Sequence, residues 1–270
     1  MLTFKFNDKS DIKDLIAHHY VNEDNYCETI KQLAIYNYNE LHLEKQDNYD
    51  AIKTYMTKYA NDFFEPEYMD VIYDKIVQAK RSPYVDIDSI AITRQELDRI
   101  VVLDDIRKEK IAFVLLAVAK YNDAKYQNNN HCVTLSNMQV CKLARVTMSC
   151  KERDAFMSFL ISDGIVTTTN SSKSKAKFVQ ICTEECVEDD IAMILHEIDF
   201  EELAYTFQNW KNNGSGFGQC QICGRTIKQG KTKPRKYCEN CAKDAERANT
   251  RDRVRRYREK CNGNLTPQND

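Results

Sequence analysis

Glycine and proline are scarce, with seven and four residues among 270. Neither G-x-G-x-x-G nor G-x-x-x-x-G-K-[ST] occurs, which excludes the familiar loops that wrap backbone amides around nucleotide phosphates. H-E-x-x-H and G-x-S-x-G are missing too, and with them two common signatures of hydrolytic enzymes. No other set of residues has catalytic spacing, so an enzyme is not expected. The longest unbroken apolar run, Ile111–Ala119, is nine residues, whereas a membrane-crossing helix needs roughly 20. Met1–Asp8 shows no basic flank ahead of an apolar stretch. A secretory signal and a membrane role are therefore not expected, and a cytoplasmic location is.

What is present is enough apolar matter for a core. Hydrophobic residues make up 42% and charged residues 30%, a balance that fits one large domain or two to three small ones. The formal net charge of −2 conceals an uneven distribution. Residues 220–261 hold 14 Lys/Arg against 5 Asp/Glu, whereas residues 1–219 hold 25 against 35. A basic segment thus follows an acidic body, a division that points to a polyanionic partner for the segment alone.

Four of the eleven cysteines are ordered in pairs, Cys220-Gln-Ile-Cys223 and Cys238-Glu-Asn-Cys241. Two thiolates three residues apart grip one cation from a tight turn. Two such turns close a tetrahedral shell, the geometry of a structural Zn2+ site with no open position for chemistry. The spacer Arg225–Tyr237, with Gly230 and Pro234, is long enough for a hairpin and too short for a core, so metal must hold the unit together. The odd cysteine total argues against a disulfide framework.

Helical periodicity dominates residues 1–83. Ile30, Leu33, Ala34, Asn37, Tyr38 and Leu41 mark one face, Ile52, Tyr55, Met56 and Tyr59 a second, and Tyr68, Val71, Ile72, Ile76 and Ala79 a third that Pro66 opens. A helical bundle is predicted there. Thr93 and Glu96 form a capping box ahead of a helix over Arg94–Val101. Farther on, Ser136 caps a helix to Ala144. Arg145–Met148 makes a turn, a second helix runs to Ser162, and Gly164 ends it in a left-handed cap. Ile165–Thr169 and Ala176–Ile181 read as two strands. Asp199 is placed to cap a helix over Phe200–Trp210.

This succession of helix, turn, helix and hairpin resembles the winged-helix family. The likeness is carried by Leu135-Ser136, Leu143-Ala144, Ser149 and the run Phe159-Leu160-Ile161-Ser162-Asp163-Gly164-Ile165-Val166. It implies a recognition helix presenting Lys151 and Arg153 to nucleic acid, with Lys173, Lys175 and Lys177 on the wing. A winged helix can instead serve protein contacts alone.

The four-cysteine unit and the residues after Cys241 resemble treble-clef and zinc-ribbon fingers, where a knuckle and hairpin precede a helix. Similar units with Arg-rich helices occur in small proteins of phages and other bacterial mobile elements. Along the predicted final helix Arg247, Arg251, Arg255 and Arg258 recur at helical spacing, with Arg253 and Arg256 broadening the stripe. Arginine forks at this spacing match phosphates along a duplex.

The expected architecture is mainly α: a helical region at 1–83, a winged-helix domain at 84–211, a flexible linker at 212–219, a zinc finger with a basic helix at 220–261, and a disordered tail at 262–270. The expected function is nucleic-acid binding, with double-stranded DNA as partner and transcription or replication regulation as the role. The alternative is an adaptor whose residues 1–211 bind a protein while only the finger touches DNA or RNA.

Overall fold

The computed structural model describes residues 4–168, 176–182, 190–230 and 234–263. The chain is mainly helical over these residues and divides into two compact units, Met1–Ile90 with Val118–Val133 and Ala91–Ala117 with Thr134–Asp270.

The first unit contains α1 (Asp8–Ala17), α2 (Tyr26–Asn39), α3 (Lys45–Tyr59) and α4 (Glu65–Ala79). The predicted faces form its core: Ile30, Leu33 and Ala34 of α2, Ile52 and Met56 of α3, and Ile72, Ile76 and Ala79 of α4 are all buried. Asn37, a polar member of the α2 face, is tolerated because it is paired. Its Nδ2 donates to Asn48 Oδ1 at 3.0 Å, and Asn48 Nδ2 donates to the Ala34 carbonyl at 3.2 Å. Tyr38 and Leu41 depart from the predicted face and stand exposed.

β1 (Ile90–Thr93) pairs with β5 (Ile191–Leu195) and leads into α5 (Arg94–Val101), whose Thr93–Glu96 capping box is formed. α6 (Ile106–Tyr126) contributes its first half to the second unit and its second half to the first. In the second unit Ile111, Val114 and Leu115 are fully or nearly fully buried, and the Phe113 ring stacks on Phe207 at 5.0 Å. β2 (Cys132–Val133) is a two-residue strand in the first unit.

α7 (Asn137–Leu143) and α8 (Cys150–Ser162) begin with capping boxes, Ser136 with Gln139 and Ser149 with Glu152. Between them Arg145 takes a left-handed φ of 50°, an unusual conformation for a residue with a Cβ. Its guanidinium donates to both Glu202 carboxylate oxygens and lies 4.5 Å from the Tyr205 ring centroid, contacts that hold it there. Gly164 has φ 67° after α8, as the sequence requires. β3 (Val166–Thr168) then pairs antiparallel with β4 (Lys177–Val179). Ser149→Ala removes the hydroxyl that accepts from the Glu152 N–H. It is expected to lower stability by about 1 kcal/mol in urea unfolding.

Two local expectations are corrected. Asp199 caps no long helix: its carboxylate accepts from the His196 N–H at 2.9 Å and closes a short 3-10 turn, Glu197–Glu201. α9 (Leu203–Lys211) begins afterwards. The segment 212–219 is folded rather than a flexible linker. Asn213, Gly214 and Gly216 take φ values of 48°, 81° and 80°, and Gly214 N donates to the Asn209 carbonyl at 2.8 Å. Glycine here supplies the left-handed conformation of a chain reversal instead of free rotation. Phe217–Gln219 is then a strand, β6, paired antiparallel with β7 (Thr226–Lys228). The last element, α10 (Glu239–Gly263), takes in the first two residues of the expected tail; residues 264–270 lie outside the described residues.

Candidate metal centre and basic helix

The β6–β7 hairpin carries the first cysteine pair. Cys220 N donates to the Arg225 carbonyl at 2.8 Å, and Gly224 N donates back to the Cys220 carbonyl at 2.9 Å. Gly224 makes this knuckle at φ 73°, where a side chain would be strained. Cys238 immediately precedes α10, and Cys241 lies in its first turn. Gln221 N, donating to the Lys236 carbonyl at 2.9 Å, ties the two pairs together.

The four Sγ atoms all lie within 4.8 Å of one another, and Cys223 and Cys238 Sγ are 3.7 Å apart. Tetrahedral Zn–S bonds of about 2.3 Å place sulfurs about 3.8 Å apart, so the quartet is compatible with a bound zinc ion. Backbone amides support the charge of the sulfurs: Cys238 N donates to Cys220 Sγ at 3.2 Å and Cys241 N to Cys238 Sγ at 3.5 Å. Burial pushes the Cys220 thiol up, yet donation from the backbone of Cys223, Cys238 and Ile222 outweighs it and brings the thiol to about 6. Among the described residues no other group of three or more potential ligands clusters in this way.

The module has almost no apolar core. Among the described residues, Cys220, Ile227 and Cys238 are its buried cluster, with Cys223 and Cys241 packed against it. It is nonetheless seated on the second unit. The Arg225 guanidinium makes two 2.6 Å contacts with the Glu201 carboxylate, and the Tyr205 and Phe217 rings are 6.0 Å apart. In the sequence Arg225 is only a spacer residue, and nothing local signals a partner on another element. Another feature without a local signal is the approach of Lys110, Arg145 and Lys228 from three separate segments. Burial, then the neighbouring Lys228 and Arg145 charges, hold the Lys110 ammonium below the usual lysine range.

Beyond the cysteines α10 stands in solvent. No residue from Ala242 to Arg258 is buried, and Arg247, Arg251, Arg253, Arg255, Arg256 and Arg258 are all exposed. Asp244 and Asp252 lie 3.6 and 3.2 Å from Arg247 and Arg255, ion pairs too exposed to hold those forks against competition. At about 100° per residue, Arg247, Arg251, Arg255 and Arg258 share one face while Arg253 and Arg256 lie roughly opposite. The latter two therefore do not broaden the stripe; they form a second one.

The winged-helix candidates fare differently. Lys151 is exposed on the open face of α8, beside Asp154, Ala155, Ser158 and Ser162. Arg153 is half-buried, and its Nη1 donates to the Met148 carbonyl at 2.9 Å, so it braces the inter-helix turn. Lys177 does not project from a wing. It is 4% exposed, and its Nζ donates to the Leu135 carbonyl at 2.6 Å. The alternation of β4 points it inward, where a main-chain acceptor satisfies its ammonium. Lys173 and Lys175 lie outside the described residues.

No protein-family model, curated protein or solved structure matches this chain.

Proposed function

We propose that this chain binds nucleic acid through α10, with zinc held by Cys220, Cys223, Cys238 and Cys241 rooting that helix. The observation that carries the reading is the set of six exposed arginines on a helix that starts at the four-sulfur cluster. Guanidinium forks bind phosphate bidentately and release condensed counterions as they do so. About six such contacts lower affinity by about three orders of magnitude between roughly 50 and 200 mM salt. Fluorescence anisotropy of the zinc-loaded chain with a random duplex DNA library is the test. Steep salt dependence, lost on adding chelator, is the expected result. Binding that ignores salt and chelator would overturn the reading.

The finer role has two versions. In the first, a DNA-binding regulator of transcription or replication uses the helix-turn-helix region and α10 together. In the second, the body is an adaptor for a protein partner, and α10 alone holds nucleic acid. The near-neutral open face of α8 favours the second, since it offers Lys151 offset by Asp154, while Arg153 and Lys177 are engaged within the protein. Lys151→Ala separates them. The first version expects the salt slope to fall by about 1, and the second expects no change.

A further inference from the structure

The distribution of side chains around α10 defines the kind of surface it meets; this rests on the nucleic-acid reading above. From Arg247 to Arg258 the helix sorts into four sectors of about a quarter turn each. Arg247, Arg251, Arg255 and Arg258 occupy one. Asn249, Arg253 and Arg256 occupy the sector opposite. Between them on one side stand Thr250, Val254 and Tyr257, and on the other Ala248 and Asp252.

We propose that α10 lies in the major groove of double-stranded DNA, its two arginine sectors on the two phosphate walls and its Thr250–Val254–Tyr257 face against the base edges. A helix resting on the outside of a duplex uses cations on one side only, and those opposite would face water. Two cationic sides require phosphate on two sides, which a groove provides. A helix is about 10–12 Å across with its side chains, and the B-form major groove is about 12 Å wide. The face between the cationic sectors carries the only large apolar side chains of this stretch, with Val254 44% and Tyr257 71% exposed. Apolar side chains in the groove contact the thymine C5-methyl, and the Thr250 hydroxyl, which donates to the Glu246 carbonyl at 2.9 Å, keeps its acceptor lone pairs for a base N–H. The acid, Asp252, lies on the side turned away from the floor. The deep, narrow major groove of A-form RNA does not admit such a helix.

The test uses the full-length, zinc-loaded chain and anisotropy with four probes: an AT-containing duplex DNA, the same duplex with deoxyuridine for thymidine, the matching duplex RNA, and a single DNA strand. Duplex DNA is expected to bind at least tenfold tighter than duplex RNA or the single strand. Losing the methyls is expected to weaken it about fourfold for each methyl contacted. The Val254→Ser, Tyr257→Ser double variant, altered only at exposed positions, should erase the thymidine preference and keep the salt slope. Equal, salt-steep binding to all four probes would overturn the groove placement and leave nucleic-acid binding intact, as would tighter binding to RNA or single strand. Failure to bind any probe would instead overturn the nucleic-acid reading itself.

Discussion

Cys238→Ser is expected to abolish metal binding and, with it, nearly all affinity for nucleic acid. The purified chain should fall from one bound zinc to none by elemental analysis, and its salt-sensitive binding should drop by at least two orders of magnitude. The expectation follows from how little else holds the module. Among the described residues its buried cluster is Cys220, Ile227 and Cys238, so two of the three belong to the proposed ligand set. Metal binding supplies about 10–16 kcal/mol of folding free energy in comparable zinc units, far more than one buried isoleucine provides at about 1.5–3 kcal/mol. Cys238 Sγ also accepts the Cys241 N–H at the start of α10, a cap that a serine hydroxyl keeps, so loss of the ion is what loosens the helix at its root. Past that root no side chain from Ala242 to Arg258 is buried, so the helix lacks the tertiary packing from which most helices in proteins draw their stability. Cys150→Ser, at an exposed cysteine outside the quartet, should leave metal content and affinity unchanged. A metal-free Cys238→Ser chain with full affinity would refute the proposed role of the site.

Replacing Arg247, Arg251, Arg255 and Arg258 with alanine is expected to flatten the salt dependence by about 3–4 units, at about 0.9 for each phosphate no longer neutralised. Affinity at low salt should fall 100-fold or more. Fold stability should hardly move, because the two ion pairs removed are exposed and alanine is the best helix former. Far-ultraviolet circular dichroism checks that point. Arg253→Ala with Arg256→Ala, on the opposite face, is expected to reduce the slope by about 2. An unchanged slope in the fourfold variant would show that this face touches no phosphate.

The features legible in the sequence are those that depend on a few adjacent residues. The Thr93 capping box and the Ser136 cap are each closed by a partner three residues away. Gly164 and Gly224 sit where the backbone must turn left-handed. The cysteine quartet was legible because each pair needs only a knuckle, and the Arg247, Arg251, Arg255 and Arg258 stripe because it keeps helical spacing, whereas Arg253 and Arg256, expected to broaden that stripe, lie opposite it. The apolar faces of α2, α3 and α4 followed from helical periodicity for the same reason.

Long-range partners decided the rest. Lys177 reads as a wing cation until its Nζ meets a carbonyl 42 residues earlier. Arg145 reads as an ordinary turn residue until Glu202, 57 positions on, receives its guanidinium. Arg225 reads as a spacer until Glu201 pairs with it, and the glycine-rich stretch before it reads as a tether until Phe217–Gln219 joins a hairpin. The order of residues by itself determined that this chain joins an acidic body to a cationic segment that carries four paired cysteines able to hold a metal ion. Which of its cations remain available to a partner was decided by tertiary packing, because a buried ammonium must find an acceptor wherever the fold brings one.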